Sequence, residues 1–220
     1  SWFGALRICA LDGTILTLPN TEPLLGKYSK QAGYHGGTGY PQARVVALIA
    51  CGTRSIIDAV FGPTSIGETT QTPALLPAMG PGMFILADRN FAAAALLHQI
   101  SDTGAHYLVR VKNGRHLPVH QALPDGSYLS VLAGKKVRVI TATITLHTAE
   151  EERTETYRLV TNLTDCYQPR YLTVGRSRLV TMCGHENAPP VGFRRGVRCR
   201  ADAVVVIGDG VFLLAVLGDR

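Results

Sequence analysis

A chain of 220 residues, 46% of them hydrophobic, is long enough for one large domain, or for a domain carrying a sizeable insertion, with a real core. It holds no run of eighteen apolar residues and its first residues have neither the basic nor the apolar region of a signal peptide, so a cytoplasmic protein is expected; an opening without methionine leads us to expect further residues upstream. The net charge of +6 favours a polyanionic partner such as nucleic acid, although residues 166 to 220 carry +4 of it, from eight arginines against four acidic residues.

In chain order, Arg7 to Leu18 is β-prone and Pro19-Asn20-Thr21-Glu22-Pro23 ends it. Gly33 to Gly39 reads as a glycine-rich loop. Arg44 to Ala50 and Ser55 to Phe61 read as strands joined by a turn at Cys51-Gly52-Thr53-Arg54, which predicts an antiparallel meander of three strands. Glu68 to Met79 is helical in composition despite Pro73 and Pro77, and Gly80-Pro81-Gly82 closes it before the apolar run Met83 to Ala87. Asn90 is placed to cap a helix from Phe91 to Ile100, whose alanines and leucines are strong helix formers. From Gly104 the texture turns β-rich. His106 to Lys112, Ser127 to Leu132, Lys136 to Leu146 and Arg153 to Thr161 read as strands, with hairpin signals at Asn113-Gly114 and Pro124-Asp125-Gly126. After Asp165 no coherent fold can be read.

Five cysteines, odd in number and without a Cys-x-x-Cys pair, support neither a disulfide framework nor a structural zinc site. His98 reads as a helix-surface or core histidine rather than a ligand. Asn162-Leu163-Thr164 fits a glycosylation sequon, which carries no weight without a secretion signal.

The most informative feature is the pair Asp12 and Asp88. Each ends an apolar strand, and each is followed at once by turn or helix-start chemistry. Two carboxylates side by side repel by about 4 kcal/mol at the effective dielectric near a protein surface, so the arrangement makes sense if a divalent cation lies between them. An Asp-Gly after a strand is usually only a turn; the matching context at Asp88 is what raises Asp12 above that reading.

The strings Ala10-Leu11-Asp12-Gly13-Thr14, Gly39-Tyr40-Pro41-Gln42-Ala43-Arg44-Val45-Val46-Ala47-Leu48, Leu86-Ala87-Asp88-Arg89-Asn90-Phe91 and Tyr107-Leu108-Val109-Arg110-Val111-Lys112 resemble, in this order, the transposases of the insertion-sequence 4 family. The resemblance covers roughly the first three-quarters of the chain. It implies an α/β fold: an RNase H-like mixed-sheet core over residues 1–103, a β-rich insertion after the second Asp over 104–165, and an irregular tail over 166–220. It also implies a DDE site with Asp12 and Asp88 as catalytic metal ligands for Mg²⁺ or Mn²⁺, in which two ions serve the attacking and leaving oxygens of DNA cleavage and strand transfer. The expected partners are double-stranded DNA, as element ends and target, and a second copy of the chain. Arg89, Lys112, Arg115, Lys135, Lys136 and Arg138 are the DNA-contact candidates, with a solvated strand and turn face as the competing reading. For Tyr40, Gln42 and Arg44, contact with a DNA end competes with plain packing.

The family's third carboxylate is a Glu on a helix with the pattern Tyr, two residues, Arg, three residues, Glu, six residues, Lys. Nothing after Asp165 fits it, and Glu186 is followed by Pro189 and Pro190, which oppose a helix. Back-translation of Val174 to Met182, read out of phase, allows the run Trp, Glu, Ile, Glu, Thr, Gly, Tyr, Tyr that the family's helix commonly takes. The expectation is therefore a reading-frame shift soon after Asp165, leaving two of three carboxylates. Three functions stay open: an impaired transposase, a catalytically silent DNA-binding or dimer-forming remnant, and a nuclease of the same fold that does not join ends.

Overall fold

Ile8-Cys9-Ala10-Leu11 and Phe84-Ile85-Leu86-Ala87 are continuous apolar runs, the pattern of strands buried on both faces, and both are central in the sheet. A computed structural model describes residues 2–33, 36–147 and 152–164. Among them the strands are β1 (Trp2–Phe3), β2 (Leu6–Thr17), β3 (Lys30–Gly33), β4 (Gly36–Ala50), β5 (Ser55–Pro63), β6 (Met83–Ala87), β7 (His106–Val111), β8 (Gln121–Ala122), β9 (Tyr128–Leu132), β10 (Lys135–His147) and β11 (Glu152–Thr161). The helices are α1 (Glu22–Leu25), α2 (Glu68–Gln71) and α3 (Ala94–Asp102), with 3-10 segments at Thr72–Ala78 and Arg89–Phe91. None is long and apolar enough to cross a membrane.

The strands form a mixed sheet in the order β3-β4-β2-β6-β7-β11-β10-β9-β8, with β1 on β2 and β5 on β4. β2, β4 and β5 make the expected antiparallel meander, and β6 and β7 then add in parallel beside β2. Three antiparallel strands followed by two parallel ones reached through helical crossovers are the layout of an RNase H-like core. The β-rich stretch continues the same sheet, because β11 pairs antiparallel with β7 and β10, β9 and β8 follow outward.

Register assigns every side chain to one of two faces. Cys9, Leu11, Val46, Leu48, Ile85 and Val109 point to the face that carries α3, where Leu96, Leu97 and Ile100 complete the core with Leu75 and Phe91. Burial of one such leucine is worth about 2 kcal/mol. The opposite face holds Ile8, Ala10, Phe84, Leu86 and Leu108, also buried, with Phe3 stacked on Phe84 at 5.2 Å between ring centroids.

Four expectations are corrected. The Gly33 to Gly39 stretch is not a loop throughout: β4 begins at Gly36 and pairs back on β3, because the ladder extends into the glycines and leaves only residues 34 and 35 between the strands. The helix expected over Glu68 to Met79 is α-helical only to Gln71, since Pro73 and Pro77 lack the amide donors that an α-helix needs, and the chain tightens to 3-10. Asn90 does not cap α3; it lies in the 3-10 turn that delivers Phe91 into the core, and Ala93 is the N-cap instead. Asn113-Gly114 makes a turn but no hairpin, because the partner of β7 is the distant β11. The hairpin at Pro124-Asp125-Gly126 forms as expected, with Leu123 donating to the Ser127 carbonyl at 2.8 Å. The tail expected over 166–220, Glu186 included, lies outside the described residues.

A polar tie and a glycine turn join the β-rich part to the core. The Asn162 side chain accepts from the Tyr107 amide at 3.0 Å and donates to Ser101 Oγ at 3.2 Å and the Ala105 carbonyl at 3.1 Å, so this sequon residue is engaged in internal bonds. Gly104 joins α3 to β7 with φ +85, and a side chain there would come within 2.9 Å of Pro81.

Arg138, expected among the DNA contacts, is a buried internal residue: its guanidinium bonds Asp125 and, at 2.8 Å, Ser127 Oγ. Burial alone raises the Asp125 pKa, but the Ser127 donors and Arg138 outweigh it and hold the carboxyl below its ordinary value. A depressed folded pKa gives stability that is present above the unfolded value of about 4 and is lost as pH falls through the folded value. Arg138→Gln is expected to cost about 2 kcal/mol at pH 7 in urea unfolding, with the cost shrinking below pH 4.

Candidate active site

Asp12 and Asp88 are brought to the end of the parallel β2–β6 ladder, and to one face of the sheet, by strand register. Leu11 pairs with Ala87, the last pair of the parallel ladder between β2 and β6. Asp88 keeps an extended backbone, φ −77 and ψ 172, so the alternation runs on past β6. Each Asp is then two residues beyond a member of the row Ala10 and Leu86, on strands about 4.8 Å apart. Both are half-buried, at the point where the apolar part of each strand gives way to solvent. The Gly13 amide donates to Asp12 Oδ1 at 2.8 Å, and the Asp88 side chain does not cap the turn that follows it.

Arg110 extends this row. Leu86 pairs with Leu108, so Arg110 stands on the same face one strand beyond Asp88, with its guanidinium over the ring of buried Tyr157 at 4.1 Å. The stacking holds a cation on the carboxylates' face, one strand beyond Asp88 and two beyond Asp12. The sequence reading passed over Arg110; its signal is the alternation Leu108-Val109-Arg110, which puts it in phase with Asp88.

The other basic candidates divide. Arg89 and Lys112 are exposed at the carboxylate end of the sheet. Arg115 is half-buried and donates to the Ala92 carbonyl, tying its loop to the start of α3. Lys135 and Lys136 are exposed at the start of β10, four strands from β2, or roughly 19 Å across the ladder, and toward its other end. Lys135 also pairs with Asp102. Those two lysines therefore do not join the carboxylates, whereas Arg89, Lys112 and Arg110 do.

Arg44 is taken up by packing: NH1 pairs with Glu68 Oε1 at 2.9 Å and NH2 donates to the Thr64 carbonyl at 3.3 Å. Tyr40 is 57% exposed. Glu68 had no sequence signal, since it opens α2 as an ordinary first-turn carboxylate. His98 is half-buried on α3, with Nε2 at 3.0 Å from the Leu132 carbonyl. Cys9 and Cys51 are free thiols, and burial pushes Cys51 up to about 11, which keeps it protonated.

Among the described residues no group of three or more His, Cys, Asp or Glu side chains could enclose a metal ion. The donor set present still fits Mg²⁺ or Mn²⁺, hard cations that bind through one or two carboxylates and keep the rest of their shell as water.

A sheet of this order with paired carboxylates at the end of its first parallel ladder defines the RNase H-like class of fold. Residues 4–177 match the family model described as the transposase DDE domain, and the chain belongs to that family. The piggyBac transposase synaptic complex with hairpin DNA is similar at 12% identity and a TM-score of 0.42, covering 72% of this chain and 34% of that chain. Endonuclease V from Streptomyces avermitilis is similar at 12% identity and a TM-score of 0.30, covering 72% of this chain and 66% of that one. The chain spans about a third of the piggyBac chain it matches. None of the curated proteins matches it.

Like charges held together for function cost stability without their counter-ion. In chelator, Asp88→Asn is expected to raise folding stability by about 1 kcal/mol in denaturant titration. Should the pair hold a cation, the order of parent and variant reverses in millimolar Mn²⁺, since only the parent would gain from binding.

Proposed function

We propose that this chain is the catalytic-core portion of an insertion-sequence 4 family transposase that cleaves and transfers DNA strands weakly, its third carboxylate lost to a frame shift. The observation that carries the reading is the shared face and end of Asp12 and Asp88, within a match to the transposase DDE domain over residues 4–177. The lost carboxylate is read from the residues after Asp165, where no glutamate stands in the helix pattern of the resembled family.

In this reading Asp12 and Asp88 hold Mg²⁺ or Mn²⁺ against a scissile phosphate. A bound cation supplies Lewis acidity at the phosphoryl oxygen and lowers the pKa of the attacking water or 3′-hydroxyl. Arg110, pinned on Tyr157, and the exposed Arg89 and Lys112 meet the phosphate backbone from the same end, and their contacts make binding salt-dependent. The loss of one carboxylate lowers the rate by several orders of magnitude but leaves binding in place.

The test is nicking of supercoiled plasmid by the full chain in Mn²⁺. Slow nicking that Asp12→Ala abolishes, with DNA binding that weakens steeply with salt, is the expected result. Salt-sensitive binding with no nicking at any protein concentration replaces the enzyme reading with the silent remnant. Nicking in which cut 3′ ends never join a target leaves a nuclease that does not transpose. The frame shift is tested on the DNA of the locus, where the family helix is expected in another frame soon after the Asp165 codon.

A further inference from the structure

Directly behind Asp12, on the helix-bearing face of the sheet, the Glu68 carboxylate presses on the backbone of Gly13. A Cβ at Gly13 would fall 2.7 Å from both Cδ and Oε1 of Glu68 and 2.9 Å from its Cγ, closer than real Cβ contacts come. A side chain at 13 would therefore have to displace the Glu68 head group from its place beside Arg44. Ion pairing brings it there. Arg44 reaches from β4, two residues along the ladder from the partner of Gly13, and its NH1 holds Glu68 Oε1 at 2.9 Å. Both side chains are mostly buried, 20% and 17% exposed.

The pair is held from both sides. Arg44 NH2 donates to the Thr64 carbonyl, while the Glu68 carbonyl accepts from the Thr72 amide and, at 2.8 Å, from Thr72 Oγ1. Arg44 Nε is buried with no partner among the described residues. An orphaned donor on a buried guanidinium is costly, so the head group is placed by its ion pair with Glu68 and not by full satisfaction of its donors.

Gly13 is also the residue whose amide orients Asp12, through the 2.8 Å bond to Oδ1. The same short helix that opens with Glu68 packs against the 3-10 turn Arg89–Phe91, which leaves Asp88. One element thus touches the exit of both strands.

We infer that Glu68, clamped by Arg44, is a positioning residue: seated on Gly13 from behind the sheet, it sets the orientation of the Asp12 carboxylate toward Asp88 and so the affinity of the pair for a divalent cation. This inference rests on the reading of Asp12 and Asp88 as cation ligands. Glu68 itself touches no ligand in it, since it lies on the opposite face.

The test is calorimetric titration of the full chain with Mn²⁺ alone, below the melting temperature of every variant. Gly13→Ala is expected to weaken Mn²⁺ binding about tenfold, the scale on which groups that orient metal ligands act. Adding Glu68→Asp to Gly13→Ala shortens the carboxylate, relieves the overlap and is expected to restore affinity to within about threefold, a rescue that general destabilisation does not produce. Should Gly13→Ala fail to fold, Glu68→Gln keeps the shape, breaks the ion pair and is expected to weaken binding by a similar factor. Binding by the parent that Asp12→Ala abolishes but that Gly13→Ala and Glu68→Gln leave unchanged overturns the inference while the cation reading stands. No binding by the parent removes the cation reading, and this inference falls with it.

Discussion

The parallel pairing of β2 with β6 is the constraint on which the site depends. With Leu11 opposite Ala87, the residues next after this last parallel pair must share a face; a slip of one residue would send one carboxylate toward α3 and leave the other alone. Nothing in the chemistry of the two aspartates holds them together, because they repel. What holds them is apolar burial of the ladder beneath, where Cys9, Leu11 and Ile85 are fully buried on one face and Ala10, Phe84 and Leu86 nearly so on the other. The carboxylates begin where this burial ends, so their backbone is rigid while their oxygens face solvent.

The two faces of the sheet divide the work. The helix-bearing face supplies stability and, at its end, the Arg44 and Glu68 pair against Gly13. The other face carries the charged row of Asp12, Asp88 and Arg110 across three neighbouring strands. The β-rich part contributes to that row without supplying a carboxylate. Tyr157 of β11 gives Arg110 its stacking surface, and the Asn162 amide fastens the end of β11 to the turn between α3 and β7.

Much of this was legible in the residues. The continuous apolar runs into Asp12 and Asp88 marked two central strands, of which β6 stops before its aspartate while β2 runs on past Asp12 to Thr17, and the Cys51 to Arg54 turn marked the meander. Features set by partners distant in sequence were not legible. Asn113-Gly114 has hairpin chemistry, yet the strand that β7 needs lies more than forty residues on, and pairing with it wins. Asn90 is a good cap, but burial of Phe91 decides where the turn falls. Among the basic residues, sequence proximity misled: Lys135 and Lys136 are as basic as Lys112, and only the order of strands puts them at the far end. Glu68 was invisible because its importance lies in contact with a glycine fifty-five positions earlier, which no local pattern encodes.

The central claim is that Asp12 and Asp88 share one divalent cation. Amide spectra of the chain, recorded while Mn²⁺ is added well below stoichiometry, report it directly through paramagnetic broadening. The account expects residues 11–14 and 87–90 to broaden together at the lowest Mn²⁺ concentration, and both sets to stay sharp when either aspartate is replaced by asparagine. Broadening confined to one of the two segments, or first appearing elsewhere on the chain, would contradict it.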